Sequence, residues 1–255
     1  KKSKTTKVKG VQRFVRVQGS PDLTVEDLLG DIDPIKALKY GPSSIEAFTP
    51  GKIFKANNGI LFFDEVNRCP EKIQNSLLQV LEEGKATIGS YTIDIPANFI
   101  FIGTMNPEEV AATEKLSDVF LDRFDVIHMS YPDSLEIETD IVNMHGEKLE
   151  IQFPHKLLSA MIMFVRQLRE HKDIQKKPSV RVSLGLFERA QANAFLNKHK
   201  KVDAKDIQDA VISVLSHRIE LKPSVKYLKT PEEFISEEFS KFQKDVQELS
   251  SGDLL

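Results

Sequence analysis

The chain has 255 residues, 40% hydrophobic and 29% charged, enough apolar material for one large domain or two smaller ones. A net charge of −3 and a pI near 6.1 give the chain as a whole no electrostatic case for nucleic acid or an anionic membrane. A single cysteine, Cys69, excludes an intrachain disulfide and points to a reducing, cytoplasmic location; no apolar run reaches the ~18–20 residues of a membrane span, and no signal-peptide pattern opens the chain.

The first nine residues carry five lysines and read as a solvated basic arm. RFVRVQ, residues 13–18, alternates apolar and polar side chains and predicts a strand ended by Gly19-Ser20-Pro21. A short helix is expected over Thr24–Leu29, closed by Gly30. Ile60–Phe63 is a continuous apolar run of strand length, which predicts a strand buried on both faces of a parallel sheet. Pro70 opens a helix with Ile73, Leu77, Val80 and Leu81 on one face, and Gly84 stops it. ATIGSYTIDI, residues 86–95, predicts a hairpin turning at Gly89-Ser90. Phe99–Gly103 is a second apolar strand leading into Thr104-Met105-Asn106-Pro107, and Val126–Met129 is expected to be a third. Strands alternating with helices predict an α/β layer architecture for residues 1–131.

After Tyr131-Pro132 helical periodicity takes over in Pro154–His171, Ser183–Asn197 and Asp203–Ile219, with Ser183 and Asp203 as expected N-caps and no further strand. A small helical domain is therefore expected over residues 132–222. Residues 223–255 form a tail whose amphipathic helix, 230–249, places Ile235, Phe239, Phe242, Val246 and Leu249 at spacings of three and four. The six histidines show no zinc-ligand spacing, so no structural metal is expected.

Ligands bind open parallel sheets at the carboxyl ends of the strands. Asp64 and Glu65 end one buried strand, and Asn106 follows the next. Such a set suits phosphoanhydride hydrolysis: the first carboxylate holds Mg²⁺ through water, the second deprotonates attacking water, and the amide orients that water or the γ-phosphate. The bland alternative is that Asp-Glu caps the following helix and Asn-Pro is a turn.

Order and spacing favour the first reading. ANNGILFFDEVNRCPEKIQNSLLQVLEEG, then the hairpin, IPANFIFIGTMNPEE and LDRFD, resembles the AAA+ ATPases of the MoxR and magnesium-chelatase class, and KKPSVRVSLGLFERAQANAFLNKHKKVDAKDIQDAVISVLSHRI resembles that class's helical lid. The resemblance covers about residues 13–220. It implies an AAA+ P-loop fold followed by an all-helical lid, with Asp64 as the Mg²⁺ carboxylate of Walker B, Glu65 as the catalytic one, and Asn106 at the sensor-1 position. It further implies that Arg123 is an arginine finger reaching a neighbouring subunit's nucleotide, and that Arg181 is the sensor-2 arginine opening a lid helix. A permanently charged guanidinium suits both roles. Otherwise Arg123 would pair with Asp122 or Asp125, Arg181 would be a solvated residue beside Lys176 and Lys177, and Arg189 or Arg218 could take the lid role. The hairpin at 86–95 and FTPGKIF, residues 48–54, resemble this class's insertions, which makes Tyr91 and Phe54 candidate grips on a partner.

The class binds ATP and Mg²⁺, forms rings that are commonly hexameric, and couples hydrolysis to remodelling, maturation or metal insertion in a partner protein. That activity needs a GxxxxGK[ST] loop, and these 255 residues contain none; KSKTTK, residues 2–7, lacks the upstream glycines. The expectation is that the first strand and the phosphate loop lie upstream of Lys1. The rival readings are a nucleotide-independent assembly module with a degenerate site and, more weakly, a DNA-acting helicase relative.

Overall fold

The computed structural model describes residues 7–42, 44–88, 91–106 and 116–252, with the side chains of 86–94 and 247–252 set aside. It divides into two compact units, Lys1–Ile127 and His128–Leu255.

The first unit is built on a parallel sheet of β1 (Phe14–Gln18), β4 (Gly59–Asp64) and β7 (Phe99–Gly103), in the order β1-β4-β7. Between β1 and β4 run α1 (Val25–Leu29), β2 (Gly30–Ile32), α2 (Pro34–Tyr40), β3 (Phe48–Pro50) and α3 (Lys52–Lys55). Thr24 caps α1 in a capping box with Asp27, and Gly30 ends it with a φ of 104°. The long helix α4 (Glu71–Glu83) follows β4, starts after Pro70 and stops at Gly84 in the left-handed region. Its Ile73, Leu77 and Val80 are buried as the periodicity predicts, and Leu78 joins them. The hairpin forms from β5 (Lys85–Ile88) and β6 (Tyr91–Pro96); its turn at Gly89-Ser90 and the Tyr91 side chain lie outside the described residues.

One face of this sheet is packed. Val17, Leu61 and Phe63 meet Leu28 of α1, Ile53 of α3 and Ile73 and Leu77 of α4, and Phe120 of the short α5 (Asp118–Leu121) joins the same cluster. The opposite face differs from expectation: Ile60 and Phe62 are only half-buried, while Ile100 and Ile102 are 65% and 44% exposed. Among the described residues no element covers that face, so the apolar run of β4 is buried on one side rather than two. Val126–Met129 is likewise not a strand. Its apolar pattern is right, but β7 pairs only with β4 among the described residues, and Ile127 and Met129 stand in solvent.

Phe54 is another correction. FTPGKIF forms β3 and α3, and Phe54 packs edge-on against Phe48 with ring centroids 5.6 Å apart, partly buried on the core. The exposed tip between β2 and β3 is α2, where Ile35 and Leu38 face solvent.

The second unit is helical: α6 (Leu135–His145), α7 (His155–Glu170), α8 (Val180–Leu196), α9 (Ala204–Leu215), the short α10 (Pro223–Lys226) and α11 (Pro231–Gly252). A two-stranded ribbon, β8 (Ile174–Lys176) with β9 (Glu220–Leu221), is too short to leave a periodic trace in the sequence. The tail helix docks on its own unit. Phe234, Ile235, Phe239 and Phe242 of α11 are buried, and the last two pack on Phe164 of α7 at 5.0 and 5.3 Å. No helix among the described residues is long and apolar enough to cross a membrane.

Asp203 caps α9 through a capping box with Asp206, as expected. Asp206 also receives Asn197 at 3.0 Å and lies 3.1 Å from His199 Nδ1. His199, Asp203 and Asp206 therefore bring three potential metal-ligand atoms within 4.8 Å, which histidine spacing alone did not reveal. Their hydrogen bonds account for them as the cap of α9.

Ser183 is not a cap. The helix begins three residues earlier, after Ser179, and Ser183 is fully buried with its hydroxyl donating to Glu138 Oε1 at 2.6 Å. Glu138, also fully buried, takes a bidentate pair from Arg169 at 2.6 Å to each oxygen. Burial pushes the Glu138 carboxyl up, but the bonds from Arg169 and Ser183 and the charges of Arg169 and Arg166 outweigh it and leave its pKa below the ordinary value. Asp206 is depressed in the same way: desolvation opposes, and the bonds from the Asp203 backbone, His199 and Asn197 prevail. Both groups hold fewer protons folded than unfolded near their titration, so they stabilise the unit at neutral pH. That contribution is lost as pH falls below about 4, through their folded values. Arg169→Ala is expected to cost about 3–5 kcal/mol at neutral pH, because it leaves the buried carboxylate with only the Ser183 hydroxyl and the longer contact to Arg166 at 3.4 Å. Denaturant unfolding of the full-length protein checks this, and a loss below about 1 kcal/mol would contradict it.

Candidate active site

The carboxyl ends of β1, β4 and β7 lie side by side, and their polar residues interlock. Asp64 ends β4. Its Oδ1 accepts the Thr104 hydroxyl at 2.6 Å, and its Oδ2 meets Arg16 Nη2 at 2.5 Å. Glu65 follows with φ 55° and ψ 49°, a left-handed conformation unusual for a residue with a long side chain. Such strain persists only where surroundings over-determine it, and it concentrates at functional sites. The restraints are visible. Glu65 N–H donates to Thr104 Oγ1 at 3.0 Å, Val66 N–H donates to the Thr104 carbonyl at 2.9 Å, and Thr104 N–H donates to the Phe63 carbonyl at 2.9 Å. On the side chain, Gln18 Nε2 and Arg68 Nη1 each donate to Glu65 Oε2 at 2.9 Å.

Gly19 makes this close approach of β1 and β4 feasible. Its N–H donates to the Asp64 carbonyl at 2.6 Å, and a Cβ there would lie 2.0 Å from the Glu65 carbonyl oxygen. Asn106 lies beyond β7, its carbonyl accepting from Asn67 Nδ2 at 3.4 Å. Asn67 is buried beside the acids, and its Oδ1 has no partner among the described residues. The structure thus brings Asp64 and Glu65 together and links the loop after them to Asn106. Thr104, Arg16, Gln18, Arg68 and Asn67 belong to the same network and were missed from sequence.

Thr104 is the keystone, since its hydroxyl serves both acids. Thr104→Val is expected to cost about 1–3 kcal/mol by leaving the Glu65 N–H unsatisfied, whereas Thr104→Ser keeps the hydroxyl and most of the stability. Denaturant unfolding of both variants separates loss of the hydroxyl from loss of packing; equal losses would count against this assignment.

Arg123 sits apart from these groups. Its Nε donates to Glu82 Oε1 at 2.6 Å, Nη2 pairs with the same oxygen, and Nη1 reaches the Val119 carbonyl. Glu82 of α4, rather than Asp122 or Asp125, is its carboxylate partner. Arg181, in the second unit, is exposed in the first turn of α8 and makes no hydrogen bond or ion pair with the described residues. Of its competitors, Arg189 is exposed on the same helix, while Arg218 is turned back on the Val214 carbonyl at 3.1 Å. Cys69 is fully buried, and burial pushes its thiol pKa up against a weaker bond from the Ser20 backbone, so it is a structural thiol.

The donor set at the strand ends fits a hard divalent cation. It offers carboxylate and hydroxyl oxygens without sulfur or imidazole, and it is half-open to solvent. A cation held by Asp64 would take over from the Arg16 guanidinium the task of balancing its charge.

The family model of the ATPase family associated with various cellular activities (AAA) matches residues 2–126, and that of the AAA lid domain matches residues 166–238. The chain is 30% identical over 237 residues to YeaC of Bacillus subtilis, an uncharacterised protein, across 84% of this chain and 71% of that one. It is 26% identical over 237 residues to the chaperone MoxR1 of Mycobacterium tuberculosis, across 82% and 61%. Against a magnesium-chelatase subunit ChlI homologue of Methanocaldococcus jannaschii it is 29% identical over 244 residues, across 87% and 66%. The chain thus spans between three-fifths and three-quarters of the length of these relatives. It belongs to the AAA+ ATPase family, in the class that holds MoxR and the magnesium-chelatase subunits.

Proposed function

We propose that the chain is the core and lid of a Mg²⁺-dependent ATPase that works as a ring on a partner protein, with residues 1–131 as the nucleotide-binding core and 132–222 as the lid. The observation that carries this reading is the convergence of Asp64, Glu65 and Thr104 at adjacent parallel strand ends, with Glu65 held in a strained backbone conformation by named partners.

In this reading Glu65 takes the proton of the attacking water, Asn106 orients that water, and Asp64 holds the cation through water. Mg²⁺ bound with the nucleotide supplies neutralisation of the phosphate charge. Gln18 and Arg68 both hold Glu65 by Oε2, which orients the carboxylate and leaves Oε1 to meet the attacking water. Arg123, partly exposed at its Glu82 pair, serves the neighbouring subunit, and Arg181 contacts phosphate from the lid. The names of MoxR1 as a chaperone and of ChlI as a chelatase subunit support a partner complex as the object of the work.

The reading requires a phosphate cradle, which these residues do not contain. Its test is Mg-ATP binding by the full-length protein. Binding that disappears when Mg²⁺ is removed and weakens in Asp64→Asn supports it. A full-length protein that assembles but binds no Mg-ATP would instead be the nucleotide-independent module, and salt-sensitive DNA binding would favour the helicase relative.

A further inference from the structure

The start of α8 lacks the local device that normally holds a helix N-terminus. Ser179 occupies the N-cap position, but its side chain makes no capping bond. The first turn is held instead from elsewhere in the unit, at the two positions that bracket Arg181. Before it, Arg169 Nε donates to the Pro178 carbonyl at 2.8 Å. After it, the Ser183 hydroxyl donates to Glu138 Oε1 at 2.6 Å. Both ties converge on one carboxylate, because Arg169 is itself clamped by Glu138.

Within the helix, which starts at Val180, Arg181 is the exposed residue of this bracket, with Val182 and Ser183 fully buried beside it. A cation in the first turn of a helix faces the positive end of the helix dipole, and Lys176 and Lys177 add like charge close by in sequence. The turn is thus held in an arrangement that an incoming anion would relieve. The same carboxylate also meets Arg166 at 3.4 Å, and Arg166 donates to the carbonyls of Pro132, Asp133 and Ser134, the segment that leads into α6. Tyr131 stacks on Arg169 at 4.8 Å.

We infer that Glu138 is a positioning residue: through Arg169 and Ser183 it fixes the backbone that presents Arg181, and it ties that turn to the segment before α6 within the same unit. This rests on the reading that Arg181 contacts nucleotide phosphate. Glu138 itself touches no substrate. A buried ion pair serving stability alone would have no reason to reach both sides of the one exposed arginine of the first turn.

The experiment is a double-mutant cycle in the full-length protein, measuring kcat and KM for Mg-ATP beside the unfolding midpoint, with Arg181→Ala, Ser183→Ala and the double variant. Arg169→Lys provides a second probe that keeps the charge near Glu138 but removes the Nε bond to Pro178. Arg181→Ala is expected to lower kcat/KM substantially. Ser183→Ala and Arg169→Lys are each expected to lower it by about three- to tenfold, and to lower it no further once Arg181 is gone. Ser183→Ala and Arg181→Ala effects that simply multiply would overturn the positioning role and leave a structural one. So would unchanged turnover in Ser183→Ala and Arg169→Lys while Arg181→Ala is impaired. If Arg181→Ala alone leaves kcat/KM unchanged, the phosphate-contact reading fails and takes this inference with it.

Discussion

Replacing Glu65 by glutamine is expected to lower ATP turnover by about 10²–10⁴-fold, the range of a lost general base, while Mg-ATP still binds. Glutamine has the same shape, and its amide oxygen can accept the bonds that Gln18 and Arg68 now give to Oε2 at 2.9 Å. The Glu65 backbone is held by Thr104, not by its own side chain, so the left-handed turn should survive. What disappears is the ability to take a proton. Turnover and binding measured on the same preparation check this. Unchanged turnover would remove Glu65 from the chemistry, and lost binding would make it a structural residue.

The second large effect is expected at Arg123. Arg123→Ala should reduce turnover by about 10³-fold or more, the scale at which an arginine finger stabilises phosphoryl transfer. Mg-ATP binding by the variant subunit should persist, since the guanidinium serves a neighbour. Stability should change little. The pair with Glu82 is partly solvent-exposed, with a third of the arginine side chain and half of the glutamate accessible, and such pairs contribute about 0–1 kcal/mol. A variant that unfolds would make the Glu82 pair a structural one, and a variant with full turnover would return Arg123 to the role of a surface ion pair.

The fold was legible where burial imposes a period. Leu61 and Phe63 of β4 and the i, i+4, i+7 face of α4 follow from side chains that must leave water, and the hairpin from the turn residues between two alternating stretches. The same signal misled at Val126–Met129, because an apolar run shows that a strand could form and not that an edge is present to pair with it. It also overstated the burial of Ile60 and Phe62, for the pattern records what a face could bury rather than what covers it.

The acids were legible because they interrupt an apolar strand at its carboxyl end. Their partners were not. Arg16 and Gln18 look like the solvent side of an alternating strand, yet parallel pairing puts Gln18 directly opposite Asp64, 46 positions away in the register that joins β1 to β4. Thr104 is 40 residues from Asp64, and Ser183 is 45 from Glu138. No local spacing encodes such contacts. Ser183 shows the effect plainly: a serine at the head of an apolar stretch reads as a cap, and only the buried carboxylate of another helix reveals its true partner. The β1 register was the one signal that could have exposed Gln18, once β1 and β4 were taken as parallel neighbours ending level.

Asp64 and Glu65 are proposed to hydrolyse ATP together with an arginine from the adjacent subunit. The most direct test is steady-state Mg-ATP turnover in mixtures of full-length Glu65→Gln and Arg123→Ala subunits, each inactive alone. Random assembly pairs an intact Glu65 with an intact Arg123 at about one interface in four. Mixing is therefore expected to restore about a quarter of wild-type turnover. Mixtures that assemble into rings and stay as inactive as their components would contradict the account.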